Sequence, residues 1–338
     1  MPDRPTVTLS DVAKKAGVSA ATVSRTLRGS QHVSEKLQLR IRAAVEELGY
    51  IPDPVAQALA ASRSNVIGVL IPSVTNNVFS ATLQGIYEAA DDTPYDIQLG
   101  NTRYSALKEE MLVRLFLRQR PAGLIISGID QMPSTRALLE RANCPVVQIM
   151  EISDDPIDMM IGFSHYEAAK AATQHLIEQG YRKLGFLGAR MDPRTQRRLK
   201  GFRDAAMAAG VYSEARIRTT QMPSTVTLGS ELFAELLGSA PDTDAIFCIN
   251  DDIALGALFE AQRRRIEIPR QLGLCGFNDF EMMAVANPSI TSVRTFRQEM
   301  GSQAMKMLVQ ALDDPTKLTE RYVDLGFEIR VRESTSNH

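Results

Sequence analysis

The chain has 338 residues, 44% hydrophobic and 23% charged, with a formal net charge of −2; it is too long for one average domain and ordinary in composition for a globular protein. No basic segment leads into an apolar run at the N-terminus, and no stretch nears the roughly 18 apolar residues of a membrane span, so export and membrane insertion are disfavoured and a cytoplasmic protein is expected. The charge is uneven: the first 65 residues carry nine Lys/Arg against six Asp/Glu, leaving −5 on the rest, as expected when a small head meets phosphates.

The first predicted helix starts at Thr8, an N-cap with Asp11 three residues on, and buries Leu9, Val12, Ala13 and Ala16 before Gly17 stops it. Ser19 caps a second short helix, Ala20 to Leu27, with Val23 and Leu27 inward. A helix-turn-helix follows from this pattern. A third helix opens at the Ser34 cap, buries Leu37, Ile41, Val45 and Leu48, and ends at Gly49. The outer face of the second helix presents Thr22, Ser24, Arg25 and Arg28. These are donors for phosphates and bases rather than the Glu/Lys mixture of a merely solvated face. Ala20 and Ala21, where base contacts are expected, can offer only methyl contacts and close approach.

In "YIPDPVAQALAASRSN", Asp53 as N-cap and Pro54 at the first helical position set up a short helix with an apolar stripe of Val55, Ala56, Leu59 and Ala60. It is too short to be helical alone in water, so it reads equally as a linker or as a helix that forms only when covered.

From Val66 the chain alternates short apolar runs (VIGVLIP, YDIQLGN, AGLIISG, PVVQIM, MMIGFS, KLGFLGA, RIRTT, AIFCIN, LGLCGF) with helical patterns near 78–91, 105–119, 165–179, 196–209, 227–238 and 252–264. Runs apolar on both faces between helices predict parallel sheets in α/β units. The strands are too many for one sheet, so two lobes are expected, with a border near Asp155–Ile161. Ligands in such folds bind beyond the carboxyl ends of the strands. The residues found there are polar: Ser73 to Asn77, Asn101, Ser127, Gln148 with Glu151, Ser164, Arg190 to Arg198, Asn250 to Asp252, and Asn278 with Asp279.

No GxGxxG, GxxxxGKS, GxSxG or HExxH is present, and His32, His165, His175 and His338 do not cluster in sequence. Cys144, Cys248 and Cys275 lie alone in apolar runs and read as buried free thiols. Asp251-Asp252 reads as a helix start. No cofactor, metal or catalytic residue is expected, and the body reads as a binder.

Together "TLSDVAKKAGVSAATVSRTLRGSQHVSEKLQLRIRAAVEELGYIPDPVAQALA" and the two-lobe body resemble the LacI/GalR family of bacterial transcription regulators over almost the whole chain. The resemblance implies an all-α helix-turn-helix head (1–50), a hinge helix and linker (51–64), and a periplasmic-binding-protein-like α/β body with parallel sheets (65–338). The first lobe would span about 65–160 plus 294–322, and the second 161–293 plus 323–338, with three crossings. It implies a homodimer on a pseudo-palindromic operator. The DNA-facing set is Thr8, Ser19, Ala20, Ala21, Thr22, Ser24, Arg25, Arg28, His32 and Ser34, with Leu59 wedged into the minor groove. With no leucine heptad after the last strand, a dimer is expected rather than a coil-joined tetramer.

"GVLIPSVTNNVFSATLQGI", "GARMDPRTQRRLKGF" and "CINDDIALGALFEAQR" are similar to the gluconate and 2-ketogluconate repressors of this family. A sugar-acid effector that releases a repressor is therefore expected, with Phe79, Asn101, Ser127, Ser164, Arg194, Arg198, Asn250 and Asn278 around it. Arg194 and Arg198 would offer guanidinium groups to a carboxylate, and the asparagines would suit hydroxyls. Many sugar and purine repressors have an aspartate where this chain has Asn278. A neutral sugar or purine effector, a solute-binding protein and an α/β enzyme are the alternatives.

Overall fold

In the computed structural model of the protein, residues 7–27, 33–50, 64–318 and 320–336 are described. Arg28, His32, Asp53, Leu59 and the expected hinge helix lie outside them. The chain divides into two compact units, Met1–Ser64 and Asn65–His338.

The first unit holds α1 (Leu9–Ala16), α2 (Ala20–Leu27) and α3 (Glu35–Leu48). Thr8 and Asp11 form a reciprocal capping box: the Thr8 N–H and hydroxyl donate to Asp11 Oδ2 at 2.9 and 2.7 Å, and Asp11 N–H donates to Thr8 Oγ1. Gly17 ends α1 at φ 62°, a left-handed turn that favours glycine. Val12, Ala13, Ala16, Val23, Ile41 and Ala44 form the core, with Leu37, Val45 and Leu48 only partly buried at its margin. Ser34 occupies the N-cap of α3, but its side chain makes no capping hydrogen bond.

The second unit is built on two six-stranded sheets. One lobe holds β1 (Val66–Ile71), β2 (Asp96–Asn101), β3 (Gly123–Ser127), β4 (Val146–Ile149) and β5 (Met159–Gly162). The other holds β6 (Leu184–Gly188), β7 (Ile217–Thr219), β8 (Ala245–Cys248), β9 (Gly273–Asn278) and β10 (Thr291–Arg294). Late in the chain β11 (Tyr322–Asp324) joins the first sheet, giving the order β11-β5-β4-β3-β1-β2, and β12 (Glu328–Arg330) joins the second, giving β12-β10-β9-β8-β6-β7. All pairings are parallel except β10 with β12.

β5 and β11 run to Gly162 and Asp324 before the chain leaves the first sheet. The reason is local pairing: Met160 N–H donates to the Arg321 carbonyl and Leu325 N–H to the Gly162 carbonyl, both at 2.8 Å. The third crossing follows β10.

Helices fill both faces: α4 (Asn77–Ala90), α5 (Ala106–Arg118) and α6 (Pro133–Glu140) in the first lobe, then α7 (His165–Glu178), α8 (Pro193–Ala208), α9 (Val226–Ser239), α10 (Asp251–Arg263) and α11 (Glu281–Val285) in the second. After β10, α12 (Arg297–Asp313) returns to pack on α4. They cross at Gly85 and Gly301, where a Cβ would come within 2.0 Å of the Gln298 and Thr82 carbonyl oxygens. Only glycine admits that approach.

The α8 pattern begins at Pro193, before the expected 196, because Asp192 Oδ1 caps it by accepting from Thr195 N–H at 3.0 Å and Pro193 fits the first turn. Arg194 and Arg198 thereby fall four apart on one helical face. Cys248 and Cys275 are buried, but Cys144 is only half-buried. Among the described residues, no helix is long and apolar enough to cross a membrane.

Candidate ligand cleft and nucleic-acid interface

The carboxyl ends of the strands from both lobes converge on a cleft. Arg103 and Tyr104 after β2, Met150 after β4, Arg190 and Met191 after β6, and Asn278 with Asp279 at the end of β9 all have positive φ. Such backbone is unfavourable for these residue types and persists where surrounding packing over-determines it. Two adjoining cavities lie here. The inner one, about 50 Å³, is lined by Phe79 and Tyr104 from the first lobe and by Arg190, Arg194, Arg198, Asn250 and Asn278 from the second. The outer one, about 180 Å³, is lined by Thr102, Ser105, Glu109, Ser127, Asp130 and Gln131. They share Tyr104, Asp192 and Arg194.

Arg198 is the most constrained cation. It is 8% exposed, lies 3.7 Å over the Phe277 ring, donates to the Ile249 carbonyl, and donates through Nε and Nη2 to His165 Nδ1 at 3.2 and 3.1 Å. Two guanidinium donors on Nδ1 require a neutral histidine with its proton on Nε2. Burial and the charges of Arg198, Arg194 and Arg197 accordingly hold His165 well below the usual imidazole range. Arg198 forms no ion pair among the described residues, and burial pushes it down to about 9. A buried cation without a bonded counter-ion is costly. Asp192, Glu151 and Asp251 offset that cost only from a distance.

Arg194 donates to Asp192 at 3.2 Å and faces Phe79 and Tyr104 at 5.7 and 5.8 Å. Arg190 lies 3.9 Å over Tyr104, whose hydroxyl accepts from Asn76 Nδ2 at 3.0 Å. Asn278, at φ 112° and 2% exposed, has an amide Nδ2 with no hydrogen-bond partner. A buried donor left open in a cavity is a group set aside for a ligand or water.

At the crossing between lobes, Glu151 Oε1 accepts from the Ile152 and His165 N–H groups at 3.2 and 3.3 Å, and Oε2 lies 3.6 Å from Arg197. Burial pushes Glu151 up to about 7 against those hydrogen bonds. A Cβ on Gly162 would meet the Glu151 carbonyl at 2.4 Å, so glycine keeps this junction tight. Asp251 does not cap α10; Asn250 does, through Oδ1 and the Ile253 N–H at 3.1 Å. The buried Asp251 carboxylate instead accepts from Phe280 N–H and Ser292 Oγ at 2.7 Å each, fixing the β9 and β10 ends.

Five of the expected effector residues, Phe79, Arg194, Arg198, Asn250 and Asn278, line the inner cavity, and Ser127 lines the outer one. Asn101 and Ser164 line neither. Asn101 Oδ1 turns back to the Arg103 N–H at 3.1 Å, and Ser164 Oγ caps α7 by accepting from Glu167 N–H at 3.2 Å. Asn76, in the polar stretch after β1, lines the inner cavity as well, whereas Tyr104 was not expected. An aromatic just past the end of β2 was the available signal.

In the head, Ser19 Oγ accepts from Thr22 N–H at 3.2 Å and bonds Thr22 Oγ1 at 2.9 Å, setting the start of α2. Ala20 packs against the core and Ala21 is exposed, as is Arg25, while Thr22 and Ser24 are half-buried. Thr8 is engaged in its capping box and Ser34 is exposed.

A model of bacterial regulatory proteins of the lacI family matches residues 8–53, and one of a periplasmic binding protein-like domain matches 173–335. The HTH-type transcriptional regulator GntR of Pseudomonas aeruginosa is 40% identical over 328 residues, covering 97% of this chain and 95% of that protein. A transcriptional regulator of the LacI family from Silicibacter pomeroyi superposes with a TM-score of 0.92 at 36% identity, covering 98% of this chain and 100% of that one. The lac repressor dimer bound to operator and the anti-inducer ONPF superposes with a TM-score of 0.83 at 26% identity, covering 98% and 99%. A helix-turn-helix head, a two-sheet body and these relatives are those of a DNA-binding regulator rather than an enzyme: the chain belongs to the lacI family of bacterial transcription regulators.

Proposed function

We propose that the protein is a homodimeric repressor that binds a pseudo-palindromic operator and is released from it by a sugar acid of the gluconate or 2-ketogluconate type. Its head (1–50) reads DNA, principally through Arg25, the hinge segment (51–64) joins head to body, and the cleft takes the effector. One observation carries the effector class: Arg198 is buried with no ion-pair partner among the described residues, beside Arg194, Arg190 and the unpartnered Asn278 amide. A carboxylate supplies a bonded counter-charge, where Asp192, Glu151 and Asp251 act on Arg198 only from a distance, and the hydroxyls of a sugar acid suit the asparagines. A neutral hexose would leave the guanidinium without a bonded counter-ion. The similarity of "GARMDPRTQRRLKGF" and its companion runs to gluconate-type repressors supports the same reading. The dimeric, operator-bound state of the lac repressor supports the DNA partner.

Fluorescence anisotropy with DNA from the neighbourhood of the protein's own gene tests this. The expected result is salt-dependent, sequence-preferring binding that gluconate or 2-ketogluconate reverses and glucose does not. Binding indifferent to sequence, or unaffected by either acid, would overturn it.

A further inference from the structure

The inner cavity, at about 50 Å³, is the smaller of the two and the one in which the arginines gather. It suits a carboxylate and the carbon next to it. The 180 Å³ outer cavity adjoins it past Tyr104 and Arg194 and offers space for the rest of the ligand. That cavity has a different chemistry. Ser127, 9% exposed, has a hydroxyl without a hydrogen-bond partner, and Thr102 and Ser105 add two more hydroxyl groups.

Its three carboxylates differ in state. Asp130 is paired with Arg197 and Asp192 with Arg194. Glu109, half-buried on α5, has no lysine or arginine within ion-pair distance among the described residues; Gln131 hydrogen-bonds to it, Asp130 repels it, and the one nearby attractive charge, Arg194, is itself paired with Asp192. A carboxylate without an ion-pair partner accepts hydrogen bonds from hydroxyls and repels a second anion brought against it.

We propose that the outer cavity is a polyol subsite in which Ser127 and Glu109 hold the hydroxylated tail of the effector, and that Glu109 selects monocarboxylic sugar acids against those carrying a second terminal anion. This rests on the sugar-acid reading of the cleft. The effector enters with its carboxylate toward Arg198 and its tail toward Glu109. An aldarate or a terminally phosphorylated aldonate of equal length would bring like charges together.

Isothermal calorimetry on the full-length protein tests this with gluconate, glucarate, 6-phosphogluconate and the short acid glycerate. The wild type should bind gluconate at least about tenfold more tightly than either dianion. Glu109→Gln should weaken gluconate severalfold, shrink that gap and leave glycerate unchanged. Ser127→Ala should weaken gluconate while preserving the gap. Unchanged glycerate binding shows that a variant is folded with its inner cavity intact. Equal affinity of the wild type for gluconate and glucarate, or a gap that survives Glu109→Gln, overturns the subsite proposal alone. If no acid binds, the sugar-acid reading falls and the proposal with it.

Discussion

The Arg197 guanidinium, on α8 of the second lobe, reaches across the cleft to grip Asp130 of the first lobe with both amino groups, one of them at 2.9 Å. The same arginine lies over the buried Glu151 carboxylate at the crossing between lobes. Through these two contacts Arg197 ties the two sheets' loops together around the ligand cavities.

Breaking that tie should favour the open cleft and weaken effector binding. The pair is about one-third exposed on each side, so screening limits it to about 0.2–1 kcal/mol. Arg197→Gln or Asp130→Asn should raise the effector Kd by a few-fold at most, measured by calorimetry. The reversed pair Asp130→Arg with Arg197→Asp should recover much of the loss.

Arg198→Met removes the buried charge that the effector carboxylate would meet. A hydrogen bond to a charged group is worth about 1.5–3 kcal/mol, so sugar-acid affinity should fall about tenfold to a hundredfold. Operator binding without effector should persist, which anisotropy reads. Arg198→Lys should recover little, because a point charge cannot replace a guanidinium stacked on Phe277 and bonded to the Ile249 carbonyl and His165.

Much of this cleft was legible in the sequence because strand ends, caps and turns announce themselves locally. Arg194 and Arg198 follow β6 at a spacing that shares a helix face, and Asn278 ends β9. Asn101 and Ser164 line neither cavity, for a local reason: turn and cap residues are the types that also bind sugars, and their backbone partners lie within three residues. The Asp192-Pro193 start of α8 was readable as a cap and was passed over. Tyr104 under Arg190, the Phe277 shelf under Arg198 and the Asp130 partner of Arg197 were not readable, since each joins chain segments brought together only by the fold.

Glu151 should make stability depend on pH. Its folded value of about 7 lies above its ordinary 4.5, so between those values the folded state holds a proton that the unfolded state lacks. Stability therefore falls as pH rises through that window. Glu151→Gln, which keeps a carbonyl for the Ile152 and His165 N–H groups, should raise Tm at pH 8 and lose that gain toward pH 4.5. Thermal melts across the window check the sign.

Arg25 projects from the exposed face of α2. If it meets a guanine bidentately, Arg25→Ala should cost about 1–3 kcal/mol of operator affinity and relax preference at one base pair. Effector affinity should be unchanged. Anisotropy against singly substituted operators gives both numbers.

The central claim is that the cleft is built for an acid. Calorimetry of the full-length protein with gluconate, 2-ketogluconate and glucose at one ionic strength tests it most directly. The account predicts that a sugar acid binds at least about tenfold more tightly than glucose, with the difference lost in Arg198→Met. Tighter binding of glucose, or an acid preference that survives the loss of Arg198, would contradict it.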